Sequence, residues 1–113
     1  MLVWEKLTTP KAVERSVAAQ SRLDALTRGV VLYQYRTCPF CIKVRRTLAH
    51  LALNVERRDV QRDPTSRREL DQRGGQIKVP CLRTRNEDGR EEWLYESDVI
   101  VRYLQGLAER DIG

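Results

Sequence analysis

The sequence predicts a single α/β domain, and three features carry that expectation. A β-branched and aromatic run, Val30 to Tyr35, leads straight into a helix-like pattern from Pro39 to Ala52. A second pair follows, with a short strand over 54–60 and a helix opened by Asp63-Pro64. Two further strands flank a turn at Asn86-Glu87-Asp88-Gly89, and a last amphipathic stretch begins near Ser97. Alternating strands and helices make βαβ units with parallel pairing, whereas a short turn between strands makes an antiparallel hairpin. The expected architecture is a four-stranded mixed sheet flanked by helices.

Composition sets the limits. A chain of 113 residues with 41% hydrophobic content buries one ordinary core. We expect an N-terminal helical extension over 1–29 and one domain over 30–113. The net charge is +5, but the 21 basic residues are mixed with 16 acidic ones rather than gathered in a block. That pattern fits a solvated basic surface, suited to a small anionic ligand, better than a nucleic-acid partner. No apolar run reaches the length of a membrane span, and the first residues lack the apolar core of a secretory signal. Three cysteines, two of them in a C-x-x-C pair, fit a reducing compartment and a redox pair better than a structural disulfide framework. The expected setting is cytoplasmic and membrane-free, and the expected state is a monomer.

Each element has its own warrant. Thr8-Thr9-Pro10 offers a hydroxyl cap and a first-turn proline, Gly29 offers a stop, and Val13, Val17, Ala19, Leu23 and Leu26 recur between them. This predicts an amphipathic helix over 11–28 that packs on the outside of the domain or docks a partner, with Leu2, Val3 and Trp4 as an anchor. Val30 to Tyr35 is apolar on both faces and should be the central strand. In the next helix Cys41, Val44, Leu48 and Leu51 share a face, with Lys43, Arg46 and His50 toward water. The helix over 65–73 carries only Leu70 as a large apolar residue, must be largely exposed, and ends at Gly74-Gly75. Residues 78–83 and 91–95 form the hairpin. Val99, Ile100, Tyr103, Leu104 and Leu107 set the apolar face of the last helix.

The chemistry concentrates at Cys38-Pro39-Phe40-Cys41. A cysteine at the first turn of a helix faces unpaired amides and the positive end of the helix dipole, which favour a thiolate. Cys38 is the expected nucleophile. Cys41, one turn on, is within reach of a short disulfide and is the expected resolving thiol. Zinc needs four ligands, and only Cys81 and the distant His50 remain; haem attachment needs histidine where Ile42 stands. His50 lies about three turns from Cys38, too far to serve as its base. No metal is expected.

C-P-F-C after a short strand, Val79-Pro80 further on, and Glu96-Ser97-Asp98 before the last helix together resemble the glutaredoxins and the glutathione-binding N-terminal domain of glutathione transferases. The resemblance covers roughly residues 30 to 108. The string from Leu32 to Arg45 is especially similar to the glutaredoxin-like module of the membrane-associated prostaglandin E synthases. It implies a thioredoxin-like fold, with glutathione as reducing co-substrate. It implies that Val79-Pro80 is a cis-proline step whose Val79 backbone pairs with the cysteinyl part of glutathione. Ser97 and Asp98, at a helix N-terminus, suit the carboxylate and ammonium of the γ-glutamyl end. Arg36, Thr37 and Phe40 flank the nucleophile as further glutathione contacts, although the glutaredoxins usually carry lysine where this chain has Tyr35. Gln72 and Arg83 are weaker candidates for the glycyl carboxylate. Cys81 is either a small buried hydrophobe or a third reactive thiol. An iron–sulfur role is disfavoured by the stiff Pro39 turn.

The expected function is reduction of disulfides or glutathionylated protein thiols through Cys38. Two alternatives stand beside it. One is a module that binds glutathione or a partner without turnover. The other is a glutathione transferase-like enzyme, which needs an all-helical second domain for which 113 residues leave no room.

Overall fold

The computed structural model describes residues 13–86 and 88–110. In chain order the elements are helix α1 (Val17–Leu26), strand β1 (Val31–Gln34), helix α2 (Pro39–Leu51) and strand β2 (Glu56–Asp59). Helix α3 (Pro64–Glu69) follows and continues into a π-helical turn (Leu70–Gly74). Strands β3 (Cys81–Arg85) and β4 (Glu91–Leu94) and helix α4 (Ser97–Arg110) complete the chain.

The sheet order is β2-β1-β3-β4. β1 runs parallel to β2, with Leu32 opposite Arg57, and α2 supplies the crossover that parallel pairing needs. β1 runs antiparallel to β3, with Leu32 opposite Leu82, and β3 pairs with β4 as a hairpin. All four β1 residues are buried, as an apolar run on both faces predicts. Strand alternation sends Leu32 to one face and Val31 and Tyr33 to the other. On the first face Leu32 and Leu82 pack with Val44 and Leu48 of α2, Ile100, Leu104 and Leu107 of α4, and Leu23 of α1. On the second face Val31, Tyr33 and Cys81 pack with Val60 and Leu70. The sheet is mixed, with helices on both faces.

Several boundaries depart from the sequence expectation. Residues 13–16 are not helical, and α1 starts after Ser16, whose hydroxyl accepts a hydrogen bond from the Ala19 amide at 3.1 Å. The expected start at Thr8-Thr9-Pro10 and the anchor at Leu2, Val3 and Trp4 lie outside the described residues. The apolar stripe of α1 also buries less than its spacing suggests. Leu23 is fully buried, whereas Val17 is 88% exposed and Leu26 43%. One buried leucine, worth about 2 kcal/mol, holds the helix on the core. Polar ties help: Gln20 Nε2 donates to the Ala52 carbonyl at 2.8 Å, and Asn54 Nδ2 to Asp24 at 2.9 Å.

β3 begins at Cys81 rather than at Lys78, because Pro80 has no amide for the ladder. α3 is capped by Asp63, which accepts from the Thr65 amide at 3.1 Å and from the Ser66 hydroxyl at 2.6 Å. Its regular part is shorter than the expected 65–73 and finishes as the π turn, with Gly75 at φ +93°. Leu70 is its buried apolar anchor.

Candidate active site

Strand β1 delivers the chain to Cys38, the N-cap of α2. Cys38 has extended backbone (φ −71°, ψ 125°), and Pro39 fills the first helical position. The Cys38 carbonyl accepts the first helical hydrogen bond from the Ile42 amide at 2.9 Å. No side chain caps this helix, so its first-turn amides have no side-chain acceptor beside Cys38. Cys38 is half-buried and Phe40 beside it is 62% exposed, so this thiol sits at an open, partly apolar rim.

Cys41 faces inward and is fully buried. Burial pushes its thiol up from an ordinary 9.0 to about 11, reinforced by Cys38 and opposed by a Tyr35 backbone hydrogen bond and by Arg45. The two thiols are within hydrogen-bonding reach of each other. One thiol of the pair is thus reachable, and the other is held protonated beneath it.

The distant motifs meet at the same end of the sheet. Tyr33 lies opposite Cys81, so Val79 and Pro80, just before β3, lie beside the end of β1 that leads to Cys38. The Val79–Pro80 peptide is cis, as the resemblance implies; Val79 is half-buried and Pro80 buried. At the start of α4 the Ile100 amide donates to the Glu96 carbonyl at 2.9 Å, which puts Glu96 at the cap. Two ion pairs join this helix start to the other motifs. Asp98 pairs with Lys43 of α2, and Glu96 pairs with Lys78 at 3.5 Å. Lys43 holds the Asp98 carboxyl below the usual carboxylate range. Ser97 is half-buried and Asp98 exposed.

Arg36 and Thr37 are exposed in the loop before Cys38. Arg45 braces that loop from α2. It donates to Gln34 Oε1 at 2.8 Å, to the Tyr35 carbonyl at 3.3 Å and to the Arg36 carbonyl at 2.7 Å. No sequence motif marks Arg45, Lys43 or Lys78 as part of the site. The signal for Arg45 was Gln34, a polar residue ending an apolar strand and needing a partner once buried.

Other sequence candidates fall elsewhere. Arg83 is not available for a glycyl carboxylate. It donates to the Tyr33 hydroxyl at 3.2 Å, pairs with Glu69 at 3.8 Å and Glu91 at 3.7 Å, and lies 5.9 Å from the ring centres of both Tyr33 and Trp93. Cys81 is fully buried and pushed up to about 12 by burial, against a hydrogen bond with Tyr95; this fits the small buried hydrophobe, not the third reactive thiol. Gln72 is exposed on the π turn, and His50 is exposed near the far end of α2. Among the described residues no group of three His, Cys, Asp or Glu is placed to hold a metal ion. No helix among them is long and apolar enough to cross a membrane.

Residues 32–111 match the glutathione S-transferase N-terminal domain family. The chain belongs to that family. It is also 33% identical over 102 residues to prostaglandin E synthase 2 of Mus musculus, a match that covers 90% of this chain and 25% of that protein. The chain therefore spans about a quarter of this relative's length. Among solved structures it is similar to a thioredoxin-like protein, with TM-score 0.55 and 26% identity over 69% of this chain and 97% of the other. It shares its fold with glutaredoxin C1 from Populus tremula × tremuloides, with TM-score 0.53 and 17% identity over 83% of this chain and 98% of the other. This family member has the α/β thioredoxin-like fold, and its transferase N-terminal-like character is as the motifs imply.

Proposed function

We propose that the chain catalyses glutathione-dependent thiol–disulfide exchange, with Cys38 as nucleophile. One observation carries the reading: a reachable cysteine at an uncapped helix N-terminus stands over a buried partner thiol. The Cys38 thiolate attacks the glutathionyl sulfur of a mixed disulfide, the S–S bond breaks, and the substrate thiolate leaves and takes a proton. A second glutathione thiolate then attacks Cys38–S–SG, releasing glutathione disulfide and restoring Cys38. Per cycle, one mixed disulfide and one glutathione give one free substrate thiol and one glutathione disulfide.

Cys41 can close the alternative route, an internal disulfide with Cys38. Burial pushes the Cys41 thiol up to about 11, so at neutral pH it is held as the thiol, a poor nucleophile. Burial, the largest cause, persists after Cys38 is capped. Resolution by glutathione is therefore the main path for small mixed disulfides.

Glutathione fits the residues gathered here. The Val79 backbone would pair with its cysteinyl part, and Ser97 with the start of α4 would receive its γ-glutamyl carboxylate. Asp98 would take the ammonium, exchanging one exposed ion-pair partner, Lys43, for another. Arg36, Thr37 and Phe40 would line the remaining rim. A reducing cytoplasmic setting would supply the co-substrate.

The test is glutathione-coupled reduction of a small mixed disulfide by the wild-type chain, Cys38→Ser and Cys41→Ser. We expect Cys38→Ser to abolish turnover and Cys41→Ser to keep most of it. Absence of turnover by the wild type would overturn the redox reading in favour of a glutathione-binding module.

A further inference from the structure

A strongly basic cavity lies on the β2 side of Cys38, away from the cis-proline and the start of α4. Its volume is about 440 Å³, and Gln34, Arg36, Thr37, Arg45, Arg57, Gln61 and Arg62 line it. Four guanidiniums from the loop before Cys38, α2, β2 and the turn after β2 meet here, and no acidic side chain lines the space. Arg45 is committed to the loop. Arg62 reaches Asp59 only at 3.9 Å and is 74% exposed. Among the described residues, Arg36 and Arg57 make no ion pair. Burial and the neighbouring Arg45 charge both lower the Arg57 pKa, the mark of a cation crowded by a like charge.

Among the described residues Arg36 and Arg57 have no acidic partner and Arg62 has only the long contact to Asp59, whereas the cations on the opposite sheet face are closely paired. There Arg58, Arg73 and Arg83 all meet Glu69 or Glu91. This basic set borders the nucleophile through Arg36 and Thr37. It also borders β2, an edge strand of the sheet among the described residues, a position an extended segment can pair with.

We propose that this cavity binds an acidic polypeptide segment flanking the target cysteine, so that preferred substrates are protein disulfides or glutathionylated thiols with nearby Asp or Glu. The proposal rests on the redox reading for the identity of the attacked group. Sheet order sets the two ligands on either side of Arg36 and Thr37, which border both: glutathione toward β3 and α4, the substrate chain toward β2. Arginine forks match carboxylates in pairs, and the volume exceeds what one carboxylate needs.

Binding tests it without turnover. A short peptide with glutamates on both sides of a serine replacing the target cysteine, and its glutamine twin, are titrated into the reduced full chain. Arginine Nε–H signals and affinity are followed by NMR at low and raised salt. We expect the acidic peptide to bind more tightly, with the largest changes at Arg36, Arg57 and Arg62. Arg57→Gln and Arg62→Gln should each weaken it roughly two- to five-fold, as removal of one exposed charge pair does. Salt should erase the difference between the twins.

Equal affinity for the twins, or signal changes confined to other arginines, would overturn the proposal. So would binding of inorganic phosphate at these arginines without the acidic peptide. Loss of glutathione turnover with retained acidic-peptide binding would sink the redox reading alone.

Discussion

Arg45→Met removes the brace on the loop that presents Cys38 while keeping much of the apolar stem. Three hydrogen bonds are lost, to Gln34 Oε1 at 2.8 Å, the Tyr35 carbonyl at 3.3 Å and the Arg36 carbonyl at 2.7 Å. The first two are partly buried and the third is exposed. At about 1 kcal/mol for each partly buried bond and little for the exposed one, the loss is about 2 kcal/mol. Gln34 is only 8% exposed, so its stranded amide oxygen adds to the cost rather than turning to water. For a domain of this length that is a fall in Tm of roughly 10 °C.

Arg45→Lys separates charge from geometry, because an ammonium keeps the charge but has no planar fork to span three acceptors. Thermal unfolding and kcat/KM for a glutathione mixed disulfide should rank wild type first, then Arg45→Lys, then Arg45→Met. An Arg45→Met chain with unchanged Tm would refute the brace. An Arg45→Lys chain as active as wild type would show that charge alone matters there.

Native, reduced protein treated with iodoacetamide at neutral pH should take one label, on Cys38, and three after denaturation; mass spectrometry of native protein labelled at Cys81 would contradict its burial. Gly74→Ala should destabilise by about 1–3 kcal/mol in urea unfolding, because a Cβ there runs into the Tyr95 hydroxyl and comes within 2.9 Å of Trp93 Cε3. The Trp93 ring has little room to retreat, with Tyr33 at 5.4 Å and the guanidiniums of Arg83 and Arg73 at 5.9 and 6.0 Å. Burial works to raise the Glu69 carboxyl, but hydrogen bonds from Arg58 and the Tyr33 hydroxyl and the charge of Arg83 win, and it sits below its ordinary 4.5. Its contribution is therefore complete above about pH 4.5 and is lost as pH falls through the lower folded value. Urea midpoints from about pH 6 to about pH 3 should fall more steeply for wild type than for Glu69→Gln.

The local sequence determined the pieces of this protein whose causes are local. The doubly apolar run at Val30 to Tyr35 gave the central strand, and proline after Cys38 gave the helix start. Asp63-Pro64 and Asn86 to Gly89 marked a helix cap and a hairpin turn, and one leucine in the polar 65–73 stretch marked its buried anchor. Motif order added the thioredoxin-like frame and the cis step at Val79–Pro80. Tertiary structure decided what depends on neighbours distant in the chain. Spacing in α1 counted apolar residues but not the surface available to cover them, so Leu23 went in and Val17 stayed out. Arg83 looked like a free cation until the pairing of β3 with β1 and β4 set it among Tyr33, Trp93, Glu69 and Glu91. The parallel register of β2 on β1 brought Arg57 across from Leu32 and into one cavity with Arg36 and Arg45. Charge partners are chosen by the fold's closure, because ion pairing acts over a few ångströms of space and takes no account of separation along the chain.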